Sequence, residues 1–250
     1  MVITDFKLRY QGSFLGYLWS LLKPLALFSI LYVVFDRFLK LGKGVPYYPI
    51  YLLLGMVVWG YFTEVTSQCI GSIVGRGDLL RKLNFPRYVI VFSAGFSGLI
   101  NLALNLVVVA VFMVILKVPV HLSILYLPLL VGELFITSLG IGFFLSALYV
   151  KFRDLSYIWD VLLQGAFYAT PIIYPLSRIP NKYAKILMLN PMAQIIQDIR
   201  YCVVTKQAGT LEKLYGTPWI LLVTILITLA IAVAAAVYFR ERSRYFAEEV

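Results

Sequence analysis

Charge is scarce in this chain: 14% of its 250 residues are Asp, Glu, Lys or Arg, while 61% are hydrophobic. At a mean hydropathy of +0.87, a soluble domain of this size could not hide so much apolar surface, so the sequence is that of a polytopic membrane protein. Histidine is nearly absent. The single one, His121, falls in a short loop and cannot make a metal site alone. Cysteine is limited to Cys69 and Cys202; their spacing is neither metal-like nor redox-like, and they fall near opposite membrane faces, which argues against an intrachain disulfide. No Gly-x-x-x-x-Gly-Lys-Ser/Thr loop occurs, so this chain cannot hydrolyse ATP by that route. A His-Glu-x-x-His pair, clustered aspartates for a metal-bound sugar nucleotide and a Ser-His-acid set are also missing. No catalytic residue, metal ligand or cofactor is therefore expected on this chain. The first residues carry charge and lack a short apolar core with a small-residue cleavage site, so no signal peptide is expected.

What is present is a set of long apolar runs. Six membrane spans are expected at about 24–39, 49–70, 89–116, 124–150, 158–174 and 218–239. The net charge of +10 comes from basic residues between these runs, where the positive-inside effect and lipid headgroups account for it without nucleic acid. One side holds Lys7, Arg9, Lys23, Arg76, Arg81, Lys82, Arg87, Lys151, Arg153, Arg240, Arg242 and Arg244, whereas the short loops of the other offer only Arg37, Lys40, Lys43 and Lys117. Both termini are thus expected in the cytoplasm. The basic residues between spans five and six weaken the tally, but that connection is long and counts for less.

Three connecting segments stand out. In residues 1–23, Asp5, Arg9, Gly12, Gly16, Ser20 and Lys23 fall in one helical stripe, and Phe6, Tyr10, Phe14, Leu15, Leu18, Leu21 and Leu22 cover most of the rest. A wide apolar face with a charged stripe describes a helix lying in the membrane interface. Pro24 suits the first position of a new helix. In residues 71–88, Asp78 can cap a short helix that Pro86 stops; Leu79, Leu80 and Leu83 share its face, with Arg81 and Lys82 elsewhere. That helix is either a docking element for a soluble partner or a headgroup contact. Between spans five and six, Pro171, Pro175, Pro180 and Pro191 punctuate two apolar runs, 183–189 and 192–204. These suit either a re-entrant helical hairpin, which must pack on protein or line a wet cavity, or an amphipathic cap on the outer face.

Polar residues also enter the spans. Ser93, Ser97, Asn101 and Asn105 recur every four residues in span three, Tyr157, Asp160, Gln164 and Tyr168 lie near one face of span five, and Glu64 and Glu133 occur in spans two and four. Such groups are costly at membrane depth and should face other helices or a water-filled path. Aromatics, 16% of the chain, exceed what interface belts need, and a surplus in a pathway would suit sugars, whose C–H faces stack on rings.

At this level of detail the chain resembles a known family. Arg9-Tyr10-x-x-Ser13-x-Leu15-Gly16-x-Leu18-Trp19-x-x-Leu22-x-Pro24 is similar to the opening segment of the transmembrane subunits of type-2 ABC exporters for polysaccharides, including O-antigen, capsule and teichoic acid exporters. Leu80-Arg81-Lys82-x-x-Phe85-Pro86-Arg87 resembles their cytoplasmic coupling helix, Lys151-Phe152-Arg153-Asp154-Leu155 the loop into span five, and Pro171-Ile172-x-Tyr174 with Leu189-Asn190-Pro191 the boundaries of their re-entrant helices. Only a few residues precede the interface helix, which departs from the family pattern.

The resemblance implies one all-α membrane domain over 1–250, with an interface helix at 1–23, a coupling helix within 71–88 and an outer gate hairpin at 176–216. It implies a homodimer in the cytoplasmic membrane with two separate nucleotide-binding subunits, which carry the ATP and Mg. Coupling would fall to Arg9, Gly12, Gly16, Asp78, Leu79, Leu80, Arg81, Lys82, Leu83, Phe85 and Arg87. The pathway would be lined by Tyr32, Tyr51, Trp59, Tyr157, Trp159 and Tyr168, and the outer gate would involve Pro171, Tyr174, Arg178 and Pro191. The implied substrate is a lipid-linked polymer. An exporter of a drug or small lipid, or an integral-membrane glycan transferase, are the alternatives.

Overall fold

Apolar runs in a membrane must satisfy their backbone groups internally, which favours helices. The computed structural model, which describes residues 18–76, 86–244 and 246, is built from them, with no β-strand among the described residues. Helix α1 is Leu18–Tyr32 and continues as a π-helix over Val33–Phe38; α2 is Tyr48–Ser72, α3 Tyr88–Ile115, α4 Leu127–Lys151 and α5 Leu155–Ala169. Short helices α6 (Asn181–Leu187), α7 (Pro191–Val203) and α8 (Leu211–Tyr215) follow, and α9 is Ile220–Arg242.

Among the described residues, five stretches are long and apolar enough to cross a membrane: Trp19–Phe38, Tyr48–Ser72, Tyr88–Ile115, Leu122–Lys151 and Ile220–Arg242. They correspond to expected spans one to four and six. The fifth is shorter than expected. Residue 170 precedes Pro171, whose ring disfavours a helical conformation there; Thr170 is extended at φ −82° and ψ 141°, and α5 stops after 15 residues. At about 1.5 Å per residue it is roughly 22 Å long, less than the ~30 Å of bilayer hydrocarbon.

A second difference lies at Pro24. It does not begin a helix but sits inside α1, which runs on from Leu18. Proline costs one backbone bond in a helix interior, a loss that membrane helices tolerate when neighbouring groups compensate. Residues 18–23 therefore belong to the first span, and the remainder of the expected interface helix lies outside the described residues.

The core is centred on α2, which packs against α1, α3, α4, α5 and α7. It is buried along most of its length, from Tyr48 to Ile70. Helix α4 is held between α2 and α9. Two glycines explain how closely. A Cβ on Gly140 would lie 3.0 Å from the Cα of Ala232 in α9, and one on Gly142 would lie 2.7 Å from Cys69 Sγ in α2. Small residues let membrane helices approach until their backbones nearly touch. Between α2 and α3 the same role falls to Gly98, where a Cβ would meet Val65 at 2.6 Å and Tyr61 at 3.1 Å.

Candidate functional site

The polar residues of the spans divide into a packed set and an open set. In the packed set, Glu64 of α2 accepts hydrogen bonds from Asn101 Nδ2 at 2.6 Å and Gln68 Nε2 at 3.0 Å, while Asn105 Nδ2 donates to the Asn101 carbonyl at 2.9 Å. Ser93 and Ser97 are buried in the same stripe. This face of α3 is interhelical glue. Glu133 of α4 is tied to α7: Gln194 Nε2 reaches Glu133 Oε2 at 3.4 Å and Asp198 Oδ2 at 2.6 Å. Burial pushes the Asp198 carboxyl up to about 6, against the Gln194 hydrogen bond, with nearby Glu212 adding to the rise.

The open set is on α5. A single side chain of this helix, Leu163, is buried. Trp159 fastens it to α2, its indole N–H donating to Thr66 Oγ1 at 3.1 Å and its ring meeting Phe62 edge-on at 6.3 Å. Tyr157, Asp160, Val161, Gln164 and Tyr168 are all exposed. The expected stripe of Tyr157, Asp160, Gln164 and Tyr168 is thus brought to one uncovered face. The other pathway candidates lie elsewhere. Tyr32 of α1 is half-buried and stacked on Phe28 at 5.8 Å. Tyr51 is 2% exposed and Trp59 7% exposed, so both belong to the core around α2 rather than to a face open to a pathway.

Where α5 ends, the chain runs through Pro171, Ile172 and Ile173 with carbonyls that no continuing helix supplies with donors. Side chains from α2 and α7 take over. Arg200 donates from Nη1 to the Pro171 carbonyl at 2.6 Å, from Nη2 to the Ile172 carbonyl at 2.6 Å and from Nε to the Tyr51 carbonyl at 2.9 Å. The Tyr48 hydroxyl donates to the Ile173 carbonyl at 2.6 Å, and the Tyr51 hydroxyl to Gln197 Oε1 at 3.2 Å. The Arg200 guanidinium lies 3.6 Å above the Tyr51 ring. Arg200 is fully buried. The position opposite it is glycine: a Cβ on Gly55 would fall 2.3 Å from Nη2.

The outer-gate candidates surround this cluster. Pro171 is part of it, and the Tyr174 hydroxyl donates to the carbonyls of Tyr168 at 3.0 Å and Ala169 at 3.1 Å, closing the end of α5. Pro191 opens α7, where the Asn190 side chain caps the Met192 N–H at 3.0 Å. Arg178 stands apart, exposed on a 3₁₀ turn. Beside it a cleft of about 340 Å³ is bounded by Val45, Tyr51, Pro175, Ser177, Asn181 and Thr205.

Sequence reasoning missed Arg200, Gln197, Tyr48 and Gly55. By residue type Arg200 is one of several loop cations, and the available signal is its spacing from Gln194 and Gln197, three residues apart along the helix. Of the coupling candidates, Arg9, Gly12, Gly16, Asp78, Leu79, Leu80, Arg81, Lys82, Leu83 and Phe85 lie outside the described residues. Arg87 precedes α3, half-buried. Among the described residues no three His, Cys, Asp or Glu side chains gather where they could hold a metal ion.

Comparison with known proteins places this architecture. Residues 1–204 match the family model of the ABC-2 type transporter. The chain is 31% identical over 253 residues to the O-antigen export system permease protein RfbA of Myxococcus xanthus, covering 100% of this chain and 94% of that protein. It is also 31% identical over 203 residues to RfbA of Klebsiella pneumoniae, covering 80% and 78%. To the polysialic acid transport protein KpsM of Escherichia coli it is 24% identical over 232 residues, covering 92% and 90%. The chain belongs to the ABC-2 type transporter membrane family.

Proposed function

We propose that this chain is the membrane-spanning subunit of an ATP-driven exporter that moves a lipid-linked, O-antigen-like polysaccharide across the cytoplasmic membrane. The observation that carries the substrate class is the likeness to an O-antigen export permease over the whole chain. In this reading two copies form the channel and two nucleotide-binding subunits supply ATP hydrolysis, with ATP and Mg bound there. Residues 1–17 and 71–88 dock those subunits, and both termini are cytoplasmic. Helix α5 completes six spans as a short one, and α6 with α7 forms the re-entrant outer hairpin.

The exposed face of α5 supports a channel between copies. An acidic residue at the centre of a lipid-facing helix costs on the order of 3 kcal/mol. Asp160 and Gln164 are both uncovered on a helix that contributes one buried side chain. A second copy or a wet path opposite this face removes the penalty. Tyr157 and Tyr168, on the same face, and Trp159 beside it supply rings on which a passing sugar can stack, while Pro171 and Tyr174 shape the outer end.

The dimer is tested by cross-linking. In a chain with Cys69→Ala and Cys202→Ala, Gln164→Cys is expected to join two copies through a short bis-thiol reagent in membranes. A cysteine placed by Leu104→Cys, on the exposed side of α3, is the control and should give monomer. Equal yields of dimer at both positions would contradict the placement of α5 on the axis.

A further inference from the structure

We infer that Arg200 is a positioning residue for export: it locks the outer end of α5, helix α7 and the start of α2 into one body, so that the pathway helix and the gate helix move together. The inference rests on the exporter reading for the roles given to α5 and α7.

Three observations carry it. First, the partners of Arg200 are three backbone carbonyls and a tyrosine ring rather than a carboxylate. A fully buried cation is expensive, and well-packed apolar residues commonly serve stability as well or better. What an apolar residue cannot do is fix a direction. The guanidinium holds its donors in one rigid plane, and here they reach α2 on one side and the chain leaving α5 on the other. Second, α2 is shaped to receive it. Gly55 leaves room that any Cβ would fill, at 2.3 Å from Nη2 and 3.0 Å from Cζ. Third, the outer half of α5 is otherwise held by undirected packing, in which half-buried Phe167 meets the Trp59 ring of α2 at 6.2 Å. Leu163 is its one buried side chain and Trp159 its one side-chain hydrogen bond to α2 among the described residues. Beyond residue 169 the path is set by Arg200, with Tyr48 on the Ile173 carbonyl. Tilting of α5 at its outer end therefore drags α7 with it or breaks two directed hydrogen bonds, those to the Pro171 and Ile172 carbonyls.

The test uses the full chain, expressed with its ATPase subunit in a host lacking its own copy, and reads surface polysaccharide per amount of chain. Arg200→Lys keeps the charge but offers one donor group in place of the planar fork, so export is expected to fall at least about tenfold, with chain level and co-purified ATPase subunit unchanged. Gly55→Ala should do the same by displacing the guanidinium. Added to Arg200→Met, it should cost less than about twofold more, because the group it displaces is gone. Export within about twofold of the unmodified chain for Arg200→Lys, or multiplying effects in the double variant, would overturn the inference. If Arg200→Met is degraded, Gly55→Ala alone decides by the same twofold and tenfold limits.

A second readout needs no polymer. In a chain with Cys69→Ala and Cys202→Ala, a cysteine placed by Ile173→Cys should be protected from a membrane-impermeant thiol reagent and become labelled at least about tenfold faster with Arg200→Lys. Absence of glycan export by the unmodified chain, with labelling behaving as stated, would sink the exporter reading and leave the lock standing. Normal export with labelling unchanged by Arg200→Lys would sink the lock alone.

Discussion

Leu80→Asp combined with Leu83→Asp is expected to abolish glycan export and co-purification of the ATPase subunit while the chain stays in the membrane at its normal amount. The expectation follows from the chemistry of a small docking surface. A buried apolar anchor at a protein interface is commonly worth about 2 kcal/mol or more on truncation, and aspartate in its place adds the cost of an unpaired charge in an apolar contact. Two such losses weaken association by roughly a thousandfold or more. The sequence pattern predicts Leu79, Leu80 and Leu83 on one face of a short helix within 71–88, outside every expected span, so membrane insertion should be untouched. Quantitative immunoblotting of membranes, pull-down of the ATPase subunit and surface polysaccharide together decide it. Unchanged pull-down and unchanged export would remove this segment from the coupling surface.

The second large effect is expected on stability. Gly140→Leu should unfold the α4–α9 contact, because a Cβ there already meets the Cα of Ala232 at 3.0 Å. Backbone cannot turn aside as a flexible side chain can, so the helices must separate. Overpacking typically costs about 1–3 kcal/mol, and a backbone-to-backbone approach puts this position at the upper end. Gly132 lies one turn or more away on the same helix and has nothing within 4 Å of its Cβ position, so Gly132→Leu should change stability by no more than about 0.5 kcal/mol. The thermal midpoint of the purified chain in detergent measures both. Equal shifts for the two variants would contradict the described packing of α4 against α9.

The long helices were legible in the sequence because lipid demands a uniform answer: a run of about 20 apolar residues has no alternative to a helix that satisfies its own backbone. Helices α2, α3, α4 and α9 accordingly begin and end within a few residues of the expected spans. The exceptions both fall at prolines. Hydropathy continues past Thr170, so it could not reveal that Pro171 stops α5; a local conformational restriction prevailed there over composition. At Pro24 the reverse happened, and a residue that usually marks a helix start is carried inside α1. The glue on α3 is visible as a four-residue repeat and Glu64 as an acid in span two, but only the fold joins them. Arg200 was hidden for a different reason. Its three acceptors are main-chain carbonyls at Tyr51, Pro171 and Ile172, which have no side-chain signature, so nothing in residue type pairs it with them. The same holds for Tyr51 and Trp59, whose aromatic character suits a pathway and a core equally well. Burial alone separates them from Tyr157 and Tyr168.

In the proposed function this chain carries lipid-linked polysaccharide outward on energy supplied by a separate ATPase subunit. The decisive measurement is of polymer on each side of the cytoplasmic membrane after the chain is inactivated in its own host with polymer synthesis left intact. Lipid-linked polymer is expected to accumulate on the cytoplasmic side and disappear from the cell surface, and restoring the chain together with an active ATPase subunit should reverse both changes. Polymer reaching the surface in unchanged amount without the chain would contradict the proposed function.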